Sequence, residues 1–227
     1  MYMRWKRLLP SWIKVMPIEL PGRGKRLDEN PQKNYQALTE VLSKEIVQAG
    51  EERYALFGHS MGALLAYGIA RQLRHFRAEL PLMLLVSGCA APARQDSQRY
   101  NKIRTEAALI EDLTKQGGTP KAVFSNPELL DMTLGLLRFD YQVCGSFQYM
   151  KQAPLSIPIH CFCGITDAIS TDCLSQWRKE SSRLVTFDWI EGGHFFLRQS
   201  EERFISVLRK RILQSQDEMI HENFVTA

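Results

Sequence analysis

Tyr54-Ala55-Leu56-Phe57 leads directly into Gly58-His59-Ser60-Met61-Gly62, and Ala63-Leu64-Leu65-Ala66-Tyr67 follows without a break. A short β-rich run therefore joins an apolar helical stretch through only five residues. A strand that turns this sharply into a helix packs the helix back onto its own sheet, the building unit of a parallel α/β fold. The turn calls for small residues at Gly58 and Gly62, where larger side chains are expected to collide. It also lifts Ser60 above the sheet edge and sets its oxygen at a helix N-terminus, where negative charge is favoured. Ser60 is thus a candidate nucleophile. A structural serine in a tight βα turn is the plain alternative.

The rest of the chain repeats that unit. Apolar β-rich runs at Ile13 to Leu20, Arg53 to Gly58, Leu82 to Ser87, Ile157 to Cys163 and Leu184 to Ile190 alternate with helical spacing. Leu38, Leu42 and Ile46 show that spacing, as do Leu65, Ile69, Leu73 and Phe76, and Phe204, Leu208 and Ile212. A mainly parallel sheet covered on both faces follows, and 227 residues suit one such domain. Residues 90–154 are the exception, with helical pieces at Ile103 to Leu113 and Leu129 to Leu137 and no convincing strand. So long an insertion exceeds an ordinary crossover. It is expected to form a helical lid over the strands' C-terminal edge, where open α/β sheets bind ligands. The expected division is a core of residues 1–89 and 155–215, the lid at 90–154, and a polar tail at 216–227.

A serine hydroxyl needs a base to take its proton. His59 adjoins Ser60 and is expected to point away as a packing residue. His75 lies on a helix, His160 inside a strand and His221 in the tail. His194 follows a strand through Glu191-Gly192-Gly193, at the edge where a base for Ser60 must sit. The orienting acid falls between serine and histidine in the chain order of this architecture. Asp167, after the strand ending at Cys163, meets that condition and can fix the imidazole tautomer. Asp172 and Asp140 are its rivals.

A net charge of +4 with scattered basic residues gives no nucleic-acid stripe. Five cysteines show no zinc spacing; Cys161 and Cys163 read as small core residues in a reducing compartment. The opening Met1-Tyr2-Met3-Arg4-Trp5 has no apolar core of signal-peptide length, and no run approaches the ~18 apolar residues of a membrane span. The expectation is a cytoplasmic monomer without metal, nucleic-acid or membrane partners.

Several motifs beyond the pentapeptide resemble the type II thioesterases of nonribosomal peptide and polyketide synthases, a branch of the α/β-hydrolases. They are Pro17-Ile18-Glu19-Leu20-Pro21-Gly22-Arg23-Gly24, Ser87-Gly88, Ala91-Pro92, Gly117-Gly118-Thr119-Pro120, Leu137-Arg138-Phe139-Asp140-Tyr141 and Gly192-Gly193-His194-Phe195-Phe196. The resemblance implies hydrolysis of acyl or aminoacyl thioesters on the phosphopantetheine arm of acyl or peptidyl carrier proteins. It implies no cofactor, because phosphopantetheine belongs to the substrate. Arg23 and Arg26 could then grip the pantetheine phosphate or the carrier protein, though solvated or structural arginines are the common case.

The resemblance also implies two oxyanion-hole amides, one from Met61 and one from a glycine-rich loop after an earlier strand. That strand and loop are expected N-terminal to Met1, as about ten to twenty residues. A chain-terminating fatty acyl thioesterase, a general esterase and a carrier-binding accessory without turnover remain as alternatives.

Overall fold

The structure, a computed structural model, describes residues 2–225 except 52 and 104, with side chains described as far as 214. Strands β1 (Leu56–His59), β2 (Leu84–Ser87), β3 (Ile159–Gly164) and β4 (Val185–Ile190) form one parallel sheet in the order β1-β2-β3-β4. The register sets Leu56 against Leu84, Leu84 against Ile159 and Ile159 against Val185. One apolar layer thus crosses all four strands, each member 8% exposed or less. Burying each such side chain contributes about 1.5–3 kcal/mol.

Alternation along the strands divides the interior in two. Leu84, Val86, Ile159 and Cys161 face helices α2 (Tyr35–Ala49) and α3 (Met61–His75). Leu85 and Phe162 face the opposite core, which contains Trp5, Phe196, Phe204 and Leu208. Those residues come from α1 (Tyr2–Leu8), α9 (Phe196–Gln199) and α10 (Glu201–Val225). Asn34 caps α2 by accepting from the Ala37 amide at 3.0 Å, and Gly50 ends it in the left-handed conformation. The polar stretch from 216, expected as a tail beyond the last helix, instead continues α10 in helical backbone to Val225.

One expected strand does not form. The run Ile13 to Leu20 has no sheet partner among the described residues. β1 pairs with β2 on one side, and its other side opens onto a cavity of about 1910 Å³ that Val15, Ile18 and Leu20 also line. A ladder needs strands about 4.8 Å apart, and the two backbones front this space instead of each other. Met16 and Ile18 are left about half exposed.

Between β2 and β3 the chain is helical: α4 (Ser97–Lys102), α5 (Glu106–Gln116), α6 (Lys121–Phe124) and α7 (Pro127–Gly145). Thr105 caps α5, and Asn126 caps α7 ahead of Pro127. Leu109, Leu113, Leu134 and Tyr141 give these helices a small core of their own. A short α8 (Thr171–Ser175) follows β3. Among the described residues no helix is long and apolar enough to cross a membrane.

Candidate active site

The strand-to-helix turn is as abrupt as the sequence requires. Ser60 caps α3 with φ 54° and ψ −120°, a backbone conformation that L side chains rarely adopt. Its amide donates to the Ser87 carbonyl at 2.8 Å, while its own carbonyl accepts from Ala63 at 3.0 Å. The strained residue is therefore held by β2 on one side and by α3 on the other. Gly58 makes the turn possible, because a Cβ there would overlap the backbone of Gly62 and Ala63. Gly62 carries no such demand: a Cβ there meets nothing within 4 Å, which corrects the expectation of a collision at that position.

Three strand ends bring Ser60, Asp167 and His194 together. Ser60 follows β1, Asp167 follows β3 and His194 follows β4. Ser60 Oγ lies 3.1 Å from His194 Nε2, and His194 Nδ1 lies 2.9 Å from Asp167 Oδ2. The loops bearing Asp167 and His194 are also joined through their backbones, Ile165 donating to Ile190 at 2.9 Å and Thr166 to Gly192 at 3.0 Å. Gln199 Oε1 accepts from the Gly193 amide at 2.9 Å and fixes the turn before His194.

Burial on its own pushes the Asp167 carboxyl up. The hydrogen bond and charge of His194, with the Ala168 amide, outweigh it and hold Asp167 below its ordinary value. Asp167 is therefore ionised and able to keep the His194 proton on Nδ1, leaving Nε2 free to accept from Ser60. The rivals are committed elsewhere, Asp140 to Arg23 and Asp172 to Arg94 at 3.2 Å. Met61 opens α3, so its amide is one of the first-turn N–H groups without an intrahelical acceptor.

Arg23 and Arg26 sit in the loop after residue 20, but both guanidinium groups are engaged within the chain. Arg23 pairs with Asp140 on α7, and burial lowers its pKa. Arg26 bridges Glu29 at 2.6 Å and Glu45 at 2.8 Å, and those hydrogen bonds raise its pKa. Free hands for a phosphate are not what the structure offers at either position. Burial pushes the Cys89, Cys144 and Cys163 thiols up to about 12, as for packing residues and not nucleophiles.

Sequence reasoning set His59 aside. In the structure its ring lies 5.0 Å from that of His194, and its Nδ1 is 3.0 Å from Ser87 Oγ. Strand alternation sends neighbours to opposite faces, but the positive φ of Ser60 breaks it at this point. The cavity beside Ser60, Asp167 and His194 runs beneath Tyr100, Leu137 and Tyr141 of the helical insertion. Among the described residues no group of His, Cys, Asp and Glu is placed to hold a metal ion.

A parallel sheet with serine, acid and histidine in that chain order after the C-terminal ends of β1, β3 and β4, beneath a helical insertion, is the plan of an α/β-hydrolase. The family is narrower: the thioesterase domain matches residues 1–212, and the chain belongs to that family. It is 33% identical over 212 residues to the gramicidin S biosynthesis protein GrsT of Aneurinibacillus migulanus, covering 93% of this chain and 83% of that protein. Among solved structures it resembles RedJ, a thioesterase from the prodiginine pathway of Streptomyces coelicolor. The TM-score is 0.84 at 33% identity, over 91% of this chain and 82% of RedJ. YbtT, the type II thioesterase of the yersiniabactin NRPS/PKS pathway, matches with TM-score 0.75 and 29% identity over 87% of this chain and 81% of its own.

Proposed function

We propose that this thioester hydrolase is an editing, type II enzyme. It releases acyl or aminoacyl groups from the phosphopantetheine arm of carrier proteins in nonribosomal peptide or polyketide synthesis. The observation that carries the reading is the line from Ser60 Oγ through His194 to Asp167, at 3.1 and 2.9 Å, in a chain of the thioesterase family. GrsT and YbtT, both from such pathways, support the choice of substrate class.

Ser60 Oγ attacks the thioester carbonyl as His194 Nε2 takes its proton, and Asp167 stabilises the imidazolium. Negative charge on the carbonyl oxygen meets the Met61 amide at the positive end of α3. The tetrahedral intermediate expels the pantetheine thiolate, which leaves as the thiol with the proton from His194. Water, deprotonated by the same Nε2, then attacks the Ser60 ester. The free acid departs and Ser60 recovers its proton.

The test offers the purified protein short, long and aminoacyl groups on carrier protein, on coenzyme A and as simple esters. Released acid is the readout. Turnover of many short groups, fastest on carrier protein, is the expected result. A single preferred long chain would identify a chain-terminating enzyme, and fastest turnover of simple esters a general esterase. No turnover together with tight carrier binding would leave an accessory protein.

A further inference from the structure

We infer that His59 is a positioning residue for His194, a neutral imidazole that braces the base along the line from Asp167 to Ser60. The inference rests on the reading of those three residues as the reacting set. His194 is tied at Nδ1 by Asp167, but its Nε2 must exchange Ser60 for the leaving thiolate and for water during turnover, so that second bond cannot hold the ring throughout. Its ring must therefore be held by packing, and two neighbours supply it. Phe195 meets it edge-on at 85° with centroids 5.3 Å apart, and His59 lies 5.0 Å away at 46°.

His59 is itself held firmly. It ends β1, its Nδ1 is bonded to Ser87 Oγ, and Ser87 is fully buried. The Ser87 carbonyl also accepts from the Ser60 amide, so one residue of β2 fixes both the brace and the nucleophile's backbone. Gly88 then passes beneath both rings. A Cβ there would lie 2.7 Å from His59 Cε1 and 3.5 Å from His194 Cε1, so only a bare glycine fits. The two histidines thus share one packing seat.

Neutrality matters as much as shape. His194 becomes an imidazolium in each half-reaction, and a second cation 5.0 Å away would oppose that. Burial first, and the proximity of His194 second, push the His59 pKa down to about 3. Its Nε2 is buried and without a hydrogen-bond partner. A buried orphan N–H is rarer than an orphan acceptor, which places the proton on Nδ1, donated to Ser87 Oγ. Phe in place of His59 keeps ring and neutrality; Gln keeps a hydrogen bond to Ser87 and loses the ring.

The test compares His59→Phe, His59→Gln and His59→Ala by kcat, KM and the downfield proton resonance shared by His194 Nδ1 and Asp167. Loss of the brace should lower kcat about ten-fold or more in His59→Ala and His59→Gln, the scale of a modest misalignment. KM should stay within about two-fold, and the resonance should broaden. His59→Phe should retain the resonance and most of kcat. Equal activity of Phe and Gln variants, or a sharp resonance in His59→Gln, would overturn the inference. If His59→Ala does not fold, the Phe–Gln comparison still decides. Ser60→Ala serves as control. If it keeps turnover, the underlying site reading fails; if it is inactive while His59→Gln matches the wild type, only the bracing role fails.

Discussion

Ser60 holds a φ of 54°, a conformation that costs about 1–3 kcal/mol. The turn persists because Gly58 lets the α3 backbone come into direct contact with β1. Gly58→Ala should therefore do more than remove activity: the overlap is with backbone, which cannot rotate aside. Loss of several kcal/mol in urea unfolding, or failure to fold, is expected; unchanged stability would show that α3 can shift away. Asp167 is predicted to act on chemistry instead. Asp167→Asn should preserve the fold and lower kcat by up to ~10⁴, since an amide cannot hold the imidazole in the required tautomer. Near-normal kcat would exclude Asp167 as the acid. The meeting of Ser60, Asp167 and His194 was legible in the sequence because strand ends, turn glycines and chain order constrain them together. His59 was not, because where its ring lies depends on a dihedral angle of its neighbour. The openness at Gly62 was equally invisible, since the pentapeptide pattern does not say which glycine is crowded.

At the scale of elements, four of five expected strands form within a few residues of their predicted bounds. Each is a short β-rich run flanked by turn residues; the central β2 and β3 are buried on both faces, and the outer β1 and β4 only in part. Ile13 to Leu20 is similarly rich in apolar residues but carries Pro17, which has no N–H for a ladder, and it has no sheet partner among the described residues; a strand is a property of two neighbouring backbones and not of one. Illegible too was the join between Leu-Pro-Gly-Arg-Gly and Arg-Phe-Asp-Tyr, 117 residues apart. There the Arg23 guanidinium meets the Asp140 carboxylate, tying the loop after residue 20 to α7 of the helical insertion. Their side chains are 29% and 22% exposed, so the pair is partly shielded from solvent. A coupling of about 1 kcal/mol is expected from a double-mutant cycle with Arg23→Ala and Asp140→Ala. Each single variant should cleave faster within residues 97–145 under limited proteolysis and raise KM more than it lowers kcat. Simple additivity of the two substitutions would mean that the bridge does not hold the insertion down.

The whole molecule carries a liability to acid that follows from two histidines buried without charge. His160, inside β3, is 1% exposed and bonded to Thr186 Oγ1 at 2.8 Å. Burial first, then Arg211, lower its pKa to about 4, with Asp188 opposing. His59 is lowered to about 3 by burial, His194 and Arg198, against the opposing charge of Asp167. Both groups return to about 6.5 when the chain unfolds. Below that value the unfolded chain binds two protons that the folded chain refuses, so stability falls as pH falls, down towards the folded values. Each proton contributes about 1.4 kcal/mol per pH unit, giving roughly 2.7 together between about pH 5.5 and 4.5. That is a large share of the ~5–15 kcal/mol typical of a domain. Carboxylates held low, such as Asp167, add to the slope from about pH 5 downward, where the unfolded chain begins to protonate them, so the histidines dominate the upper part of this window. Denaturant unfolding across the window should show the slope, and His160→Asn should lower it by about 1.4 kcal/mol per pH unit whatever that substitution does to absolute stability. A slope near zero in the wild type, or one that His160→Asn leaves intact, would mean that the interior accepts the proton.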